Sequence, residues 1–360
     1  MGAFTGQLNS NEIFAALYNM IISQEVFADN IKTNDNNALV DMARVDGGLY
    51  GDIKLYYATD VLKSTPWGND AEATNLLALH RPPSPECQGI TLDIFRQISL
   101  TVDNYLSKRA WGTEGAFGSF NSVMLGWINE TKKVYDGTTY NAFIGTDEST
   151  AQTVHTYEII TNADNNSVGE NVANGIANLI DDMEDYSRAF NDYGFLRSYN
   201  ATDLIFVWNN KFRNKVRKID LPSIFHNEEL AKMFDGYKLN SRFFGTVQTT
   251  QVTAGNNDGT YRSLVEADYT VDEEVVHIFA GDLIPAGVAI AANVSYKEDN
   301  TIICKVFVKL PPYMSAFQVG TSFFNPKSLT ENHYLTFGHN TLEHLKNYPV
   351  ITVRATESND

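Results

Sequence analysis

One stretch, from Ser167 to Lys218, constrains the fold more than any other. Ser167-Val168-Gly169-Glu170 has the spacing of a capping box, in which a hydroxyl and a carboxylate satisfy the free N–H groups at a helix start. Val172, Ile176, Leu179, Ile180, Met183 and Phe190 follow at helical spacing, while Asp181, Asp182, Glu184 and Asp185 fall on the opposite, solvated face. Next, DLIFVWN at 203–209 is a short apolar run with the composition of a buried strand. Lys211, Arg213, Lys215, Arg217 and Lys218 then crowd into 211–218, on a further expected helix. Helix, buried strand and helix in succession predict an α/β unit.

The flanking regions read differently. Ile13, Phe14, Leu17, Met20 and Ile21 form a short amphipathic helix that Asn9 or Ser10 could cap. Ile53, Leu55 and Tyr57 alternate with Lys54 and Tyr56, the period of a strand with one covered face. The breaker-rich run Arg81-Pro82-Pro83-Ser84-Pro85 then makes 50–88 a projecting hairpin or long loop. From Thr91, Leu92, Phe95, Ile98, Val102, Tyr105 and Leu106 form one helical stripe, and Phe120, Val123, Met124, Trp127 and Ile128 another, predicting two helices or one broken helix. The last third is mostly β, with turns expected at Asn256 to Gly259 and at Glu298 to Asn300. No repeat and no low-complexity linker divides the chain, so a mixed α+β protein with interleaved subdomains is expected.

Chemistry is hard to find in this pattern. Gly112, Gly115 and Gly118 lack the preceding strand and following Lys of a phosphate cradle, and no nucleophile elbow, Walker or dinucleotide fingerprint occurs. His333, His339 and His344 are spaced as no established metal site is, and His277 sits in an alternating strand where a packed side chain is expected. Cys87 and Cys304 are too few for a disulfide framework and read as free thiols. No enzyme, cofactor or metal is therefore expected. The formal charge of -17 opposes strong binding to nucleic acid, so the basic run at 211–218 is better read as a face meeting an acidic surface, for which Asp181, Asp182, Glu184 and Asp185 are the candidates. The N-terminus shows neither a signal peptide nor a membrane span, and no membrane partner is expected.

The order of elements resembles the Hong Kong 97 fold of tailed-phage major capsid proteins. The most specific local likeness is DLIFVWNNKFRNKVRKIDLPSIFHNEEL, 203–230, which looks like the axial-domain strand and following segment of capsid proteins from small short-tailed phages. The resemblance implies an α+β capsid fold with an N-terminal arm at 1–46, an extended loop at 47–90, a peripheral domain with a long spine helix at 91–145, and an axial domain at 146–325. A β-rich insertion would occupy 246–310, and 326–360, ending in PVITVRA, would return to the peripheral domain. It implies a head protein made in the host cytoplasm and destined for the virion, assembling with itself as hexamers and pentamers, with scaffolding and portal proteins as partners and double-stranded DNA packaged inside without sequence-specific contacts. An encapsulin-like compartment shell and another virion structural protein are the alternatives. A shell subunit needs surfaces that neighbours cover. The residues expected there are Leu55, Tyr56, Tyr57 and Trp67 of the extended loop, with the acidic and basic blocks.

Overall fold

The structure, a computed structural model, describes residues 36–48, 51–64, 79, 81–103, 114–147, 154–161, 168–216, 236–271, 273–316 and 319–356. The N-terminal helix expected at 13–21 lies outside the described residues.

A five-stranded sheet forms the centre. Its order is β5 (Val154–Ile160), β17 (Val350–Thr356), β13 (Ile302–Phe307), β6 (Ile205–Asn209) and β7 (Tyr237–Leu239). β5 runs parallel to β17 and β7 parallel to β6, with β13 antiparallel to both of its neighbours. Every residue of β13 is buried, because helices cover both sheet faces. That is why its sequence IICKVF is nearly continuous in apolar residues rather than alternating.

Helix α3 (Val168–Glu184) covers one face. Val172, Ile176, Leu179 and Met183, all fully buried, pack on Phe206, Trp208, Val306, Ile351 and Val353. Close approach is possible because Gly175 faces Ile159: a Cβ there would lie 2.6 Å from the Ile159 Cδ1. The helix begins where the capping box predicts, and Ser167 itself lies outside the described residues. Phe190 joins the same core from beyond the helix end.

The opposite face is covered by the last turns of α2 (Glu114–Gly145), a 32-residue helix, about 48 Å long at ~1.5 Å per residue. Tyr140, Phe143 and Ile144 pack on Val207, Phe307 and Val350, joined by Leu39, Val40 and Ala43 of the short helix α1 (Ala38–Ala43). Farther back, Ile128 and Tyr135 of α2 lie on a second, six-stranded sheet.

In that sheet β1 (Arg44–Asp46), β14 (Tyr313–Ser315), β16 (Thr330–Asn340), β3 (Glu86–Asp103) and β2 (Ile53–Ala58) follow in order, and β15 (Val319–Asn325) also pairs with β16. Two smaller assemblies complete the fold. β4 (Thr146–Asp147), β8 (Gly245–Val247), β12 (Ser295–Glu298) and β9 (Tyr261–Ser263) make one sheet, and β10 (Ala267–Val271) and β11 (Glu274–Ile278) make a hairpin.

Three expectations are corrected. From Leu92 to Val102 the expected helical stripe lies in the 18-residue strand β3, its Tyr105 and Leu106 fall outside the described residues, and the long helix is described from Glu114 rather than from near Thr91. Ile98 and Leu100 point to α2, opposite Leu335 and His333 of β16, so long antiparallel pairing overrides a spacing that also fits a helix. The closing strand PVITVRA does not rejoin the sheet beside the long helix. Its Val350, Ile351 and Val353 are buried on both faces of the five-stranded sheet instead, and β16 is the late strand in the other sheet. Finally, the β-rich stretch 246–310 is not one appended unit, since it contains β13, the middle strand of the central sheet.

Because Ile176 is fully enclosed between α3 and the sheet, Ile176→Ala should destabilise the subunit by about 2–5 kcal/mol. Denaturant unfolding of unassembled protein measures this.

Candidate assembly surfaces

Strand β2 projects an uncovered apolar face. Ile53, Leu55 and Tyr57 are 57%, 54% and 66% exposed. Across the register they stand opposite Thr91, Gly89 and Cys87 of β3, and Cys87 is exposed as well. Gly89 carries no side chain, and Ile53 and Leu55 lie over the space: a Cβ there would be 3.2 Å and 3.5 Å from their methyl carbons. Tyr56 departs from the expectation. It points to the other side of the strand, into a cluster with Ile90, Leu92, Met314 and Leu345, and the Lys309 ammonium sits 5.4 Å from its ring centre. Burial raises its phenol pKa, with Tyr348 adding to the effect. Trp67 lies outside the described residues.

The base of this strand is fastened to the central unit. Asp60 accepts hydrogen bonds from Arg188 Nη1 at 2.7 Å and from the backbone N–H of Leu196 at 3.0 Å. The Arg188 hydrogen bond and these backbone N–H groups hold its carboxyl down to about 2. Arg197 also donates to the Thr59 carbonyl at 2.6 Å. Gln88 Nε2 donates to the His344 carbonyl at 2.9 Å.

The two charge blocks behave differently from each other. Asp181 and Asp182 are exposed on α3 and Asp185 is exposed just past its end, while Glu184 accepts the Ala201 N–H at 3.3 Å. Of the basic run, helix α4 (Asn210–Val216) carries the described part. Lys211 does not reach the acidic helix: its ammonium is 3.4 Å from Glu298 Oε1 and donates to Asn300 Oδ1 at 2.8 Å. Arg262 approaches the same Glu298 at 3.1 Å. Arg213 is buried beside Phe212, which packs in the α3 core. These two cations belong to the fold of their own subunit, whereas the Lys215 side chain, Arg217 and Lys218 lie outside the described residues.

A surface that the sequence reading passed over is β15. All but its last residue are exposed, with Phe323 at 61% and Phe324 at 49%. The signal was present in VGTSFFN, an edge strand without the charge or proline that usually protects one. His277 also departs from the packed role expected of it, being half-exposed between two carboxylates.

Beneath these surfaces, a buried polar cluster locks the end of α2 to the central sheet. Lys305, on β13, has no exposed side-chain surface, and its Nζ is 2.6 Å from Asp147 Oδ1. It also donates to the Thr146 carbonyl. Thr352 Oγ1 donates to Asp147 Oδ1 at 2.6 Å, and Arg354 Nη2 lies 2.7 Å from Oδ2 while its Nη1 meets Asp299. Burial alone would raise the Asp147 carboxyl, but Lys305, Thr352 and Arg354 together hold it below the usual value.

His344 lies close by, stacked 4.6 Å from Phe143, with neither ring nitrogen hydrogen-bonded among the described residues. Burial, helped by the nearby Lys305 charge, pushes its imidazole down to about 3. His339 is different. Its ring lies between the Tyr135 hydroxyl at 2.7 Å and the Asn340 carbonyl at 2.8 Å, which fits a neutral ring donating from Nδ1. Burial lowers its pKa as well.

Neither a protein-family model nor a curated protein matches this chain. Solved structures do. A capsid structure of Staphylococcus phage Andhra matches with a TM-score of 0.60 at 11% identity, covering 99% of this chain and 94% of that one. A structure of the head fiber and inner core protein gp22 of native bacteriophage P68 matches with a TM-score of 0.54 at 10% identity, over 85% of this chain and 83% of that one. At such identities the likeness carries the fold, and the fold is the α+β Hong Kong 97-type capsid fold.

Two measurements test the buried cluster. Lys305→Met leaves the Asp147 carboxylate short of a counter-charge inside the fold and should cost about 3–5 kcal/mol, with Asp147→Asn in the same chain recovering part of it in a double-mutant cycle. For His344, the unfolded chain takes up a proton at about pH 6.5 while the folded chain resists it, so its contribution is complete above that pH and is lost as pH falls. His344→Phe keeps an aromatic ring on Phe143 and should lose less stability than the parent between about pH 6.5 and 4.5, read by denaturant titration across that range.

Proposed function

We propose that this chain is a major capsid protein, which assembles with copies of itself into the icosahedral shell enclosing the double-stranded DNA of a tailed phage. The observation that carries the reading is the likeness to the Andhra capsid structure over 99% of the chain. Exposed apolar strands support it. A subunit that remained alone would leave Ile53, Leu55, Tyr57, Phe323 and Phe324 in water, whereas soluble monomers rarely expose contiguous apolar patches of any size.

In this reading the arm is 1–46 and the extended loop 47–90. The peripheral region consists of the six-stranded sheet and the long helix, here 114–145, and the axial region is built on the five-stranded sheet. Copies meet as hexamers and pentamers through the outward face of β2, with Leu55 and Tyr57 as contacts, and through the acidic face of α3. Scaffolding and portal proteins are the expected further partners. The formal charge of -17 suits a wall that encloses DNA without gripping it. The reading places the protein in the virion and assigns it no catalysis. No helix among the described residues is long and apolar enough to cross a membrane. No observation favours an encapsulin-like compartment over the phage shell.

Electron microscopy of the expressed chain, alone and with its neighbouring genes, tests the proposal: closed shells, or hexamers and pentamers, are expected, and a monodisperse monomer under every condition would refute it. Within that experiment Leu55→Asp combined with Tyr57→Asp should abolish assembly while leaving circular dichroism and melting unchanged, because neither side chain packs in its own subunit core. Normal shells from that variant would remove β2 from the interface.

A further inference from the structure

Strand β15 is a bare edge of the six-stranded sheet. Only β16 pairs with it among the described residues, so on its other side the backbone N–H and C=O groups meet no described strand. Such an edge is a template for one more strand. Its two phenylalanines decide what can cover it. Phe323 stands in line with Asn332 and Thr101, and Phe324 with Glu331 and Val102, so the alternation of a strand sends the two rings to opposite faces of the sheet. Both are exposed. A surface laid on one face would cover one ring and leave the other in water, whereas a strand added at the edge flanks both.

Charge points to the molecule that supplies this strand. Val319 to Asn325 contains no charged residue and no proline, in a chain of formal charge -17. Two copies of so acidic a chain repel each other over most of their surface. Near a two-fold axis, any charge on a self-pairing strand would also meet its own image. A neutral strand is therefore where two copies can close.

We propose that β15 is a self-pairing edge, which joins two copies of this chain through an antiparallel ladder of β15 with β15 about a two-fold axis at Ser322. This is the one register in which all seven residues of both strands pair. Phe324 then lies opposite the partner's Gly320, and Phe323 opposite the partner's Thr321, an aromatic and β-branched pair. In the single subunit a Cβ at Gly320 would meet nothing within 4 Å, so the space beside it is open to the ring. An aromatic ring across from an edge glycine makes good the missing side chain. Two-fold symmetry makes each of these contacts twice. The pairing goes beyond the contacts assigned to β2 and α3, and it does not rest on the shell reading, since two copies complete it.

Disulfide trapping on the full chain tests it, with Cys87→Ser removing the exposed native thiol. In that background Ser322→Cys should link two chains under mild oxidation, in the unassembled protein or in its assemblies, because residue 322 faces its own image. Val319→Cys and Asn325→Cys should each stay unlinked alone and link to each other when the two chains are co-expressed. Phe323→Lys, at a ring whose exposure keeps it out of the subunit core, should lower the linked fraction of the Ser322→Cys chain about tenfold or more, since each copy loses an aromatic pair and brings a charge to the edge. Absence of the 322 link from both forms overturns the pairing, as does equal linkage from Val319→Cys alone; a partner seated on β15 in any other way gives one of these two results. Shells that form without the link would remove this contact and leave the shell reading standing, whereas the link without shells would keep the contact and count against that reading.

Discussion

The ion cluster of Asp147, Lys305 and Arg354 is the constraint on which the architecture turns. It joins three parts that the chain supplies far apart: the end of the long helix, the middle strand of the central sheet and the last strand. Burying such charges is expensive, and only close pairing with filled hydrogen bonds offsets the cost. Here Thr352 and the Thr146 carbonyl supply those bonds. A helix tied at its last turn has its direction set, and so has the six-stranded sheet that rests on Ile128 and Tyr135 farther back along it. The relation between the two sheets therefore depends on a few buried atoms.

Apolar burial is distributed unevenly around that joint. The central sheet is covered twice, by α3 and by the end of α2, and contributes most of the fully buried side chains. The six-stranded sheet is covered more thinly, by Ile128 and Tyr135 on one face and by Leu345 and Tyr348 on part of the other, and the outer side of β2 and nearly all of β15 are exposed. Apolar residues exposed along a sheet margin are the kind of surface that a neighbour covers in the proposed shell. The fold thus joins a deeply buried region to one with more exposed apolar surface, and Asp60 with Arg188 and Arg197 ties the two together.

Much of the central unit was legible because its signals are local. Val172 to Met183 repeat at helical spacing, and the run from Ile205 to Trp208 is too apolar to be anything but buried. The site was legible in part. The alternation puts Tyr56 on the opposite face from Leu55 and Tyr57, but nothing local says which face is covered, so that it is Tyr56 that turns inward to Lys309 came only from the fold. Within the subunit the charge blocks do not meet: Lys211 lies beside Glu298, a residue far along the chain, rather than beside the acids of α3. Spacing cannot reveal which of several carboxylates the fold brings near.

The sequence by itself determined the α/β unit, the β-rich last third and the absence of any familiar catalytic pattern, since each follows from side chains interacting with near neighbours. Tertiary structure alone decided that the stripe from Leu92 is a strand, because pairing with β16 satisfies its backbone and α2 covers one face. It also decided where the last strand goes, because Arg354 reaches Asp147 only from within the central sheet. These choices rest on hydrogen bonds and charges between residues separated by hundreds of positions, and no periodicity along the chain records them.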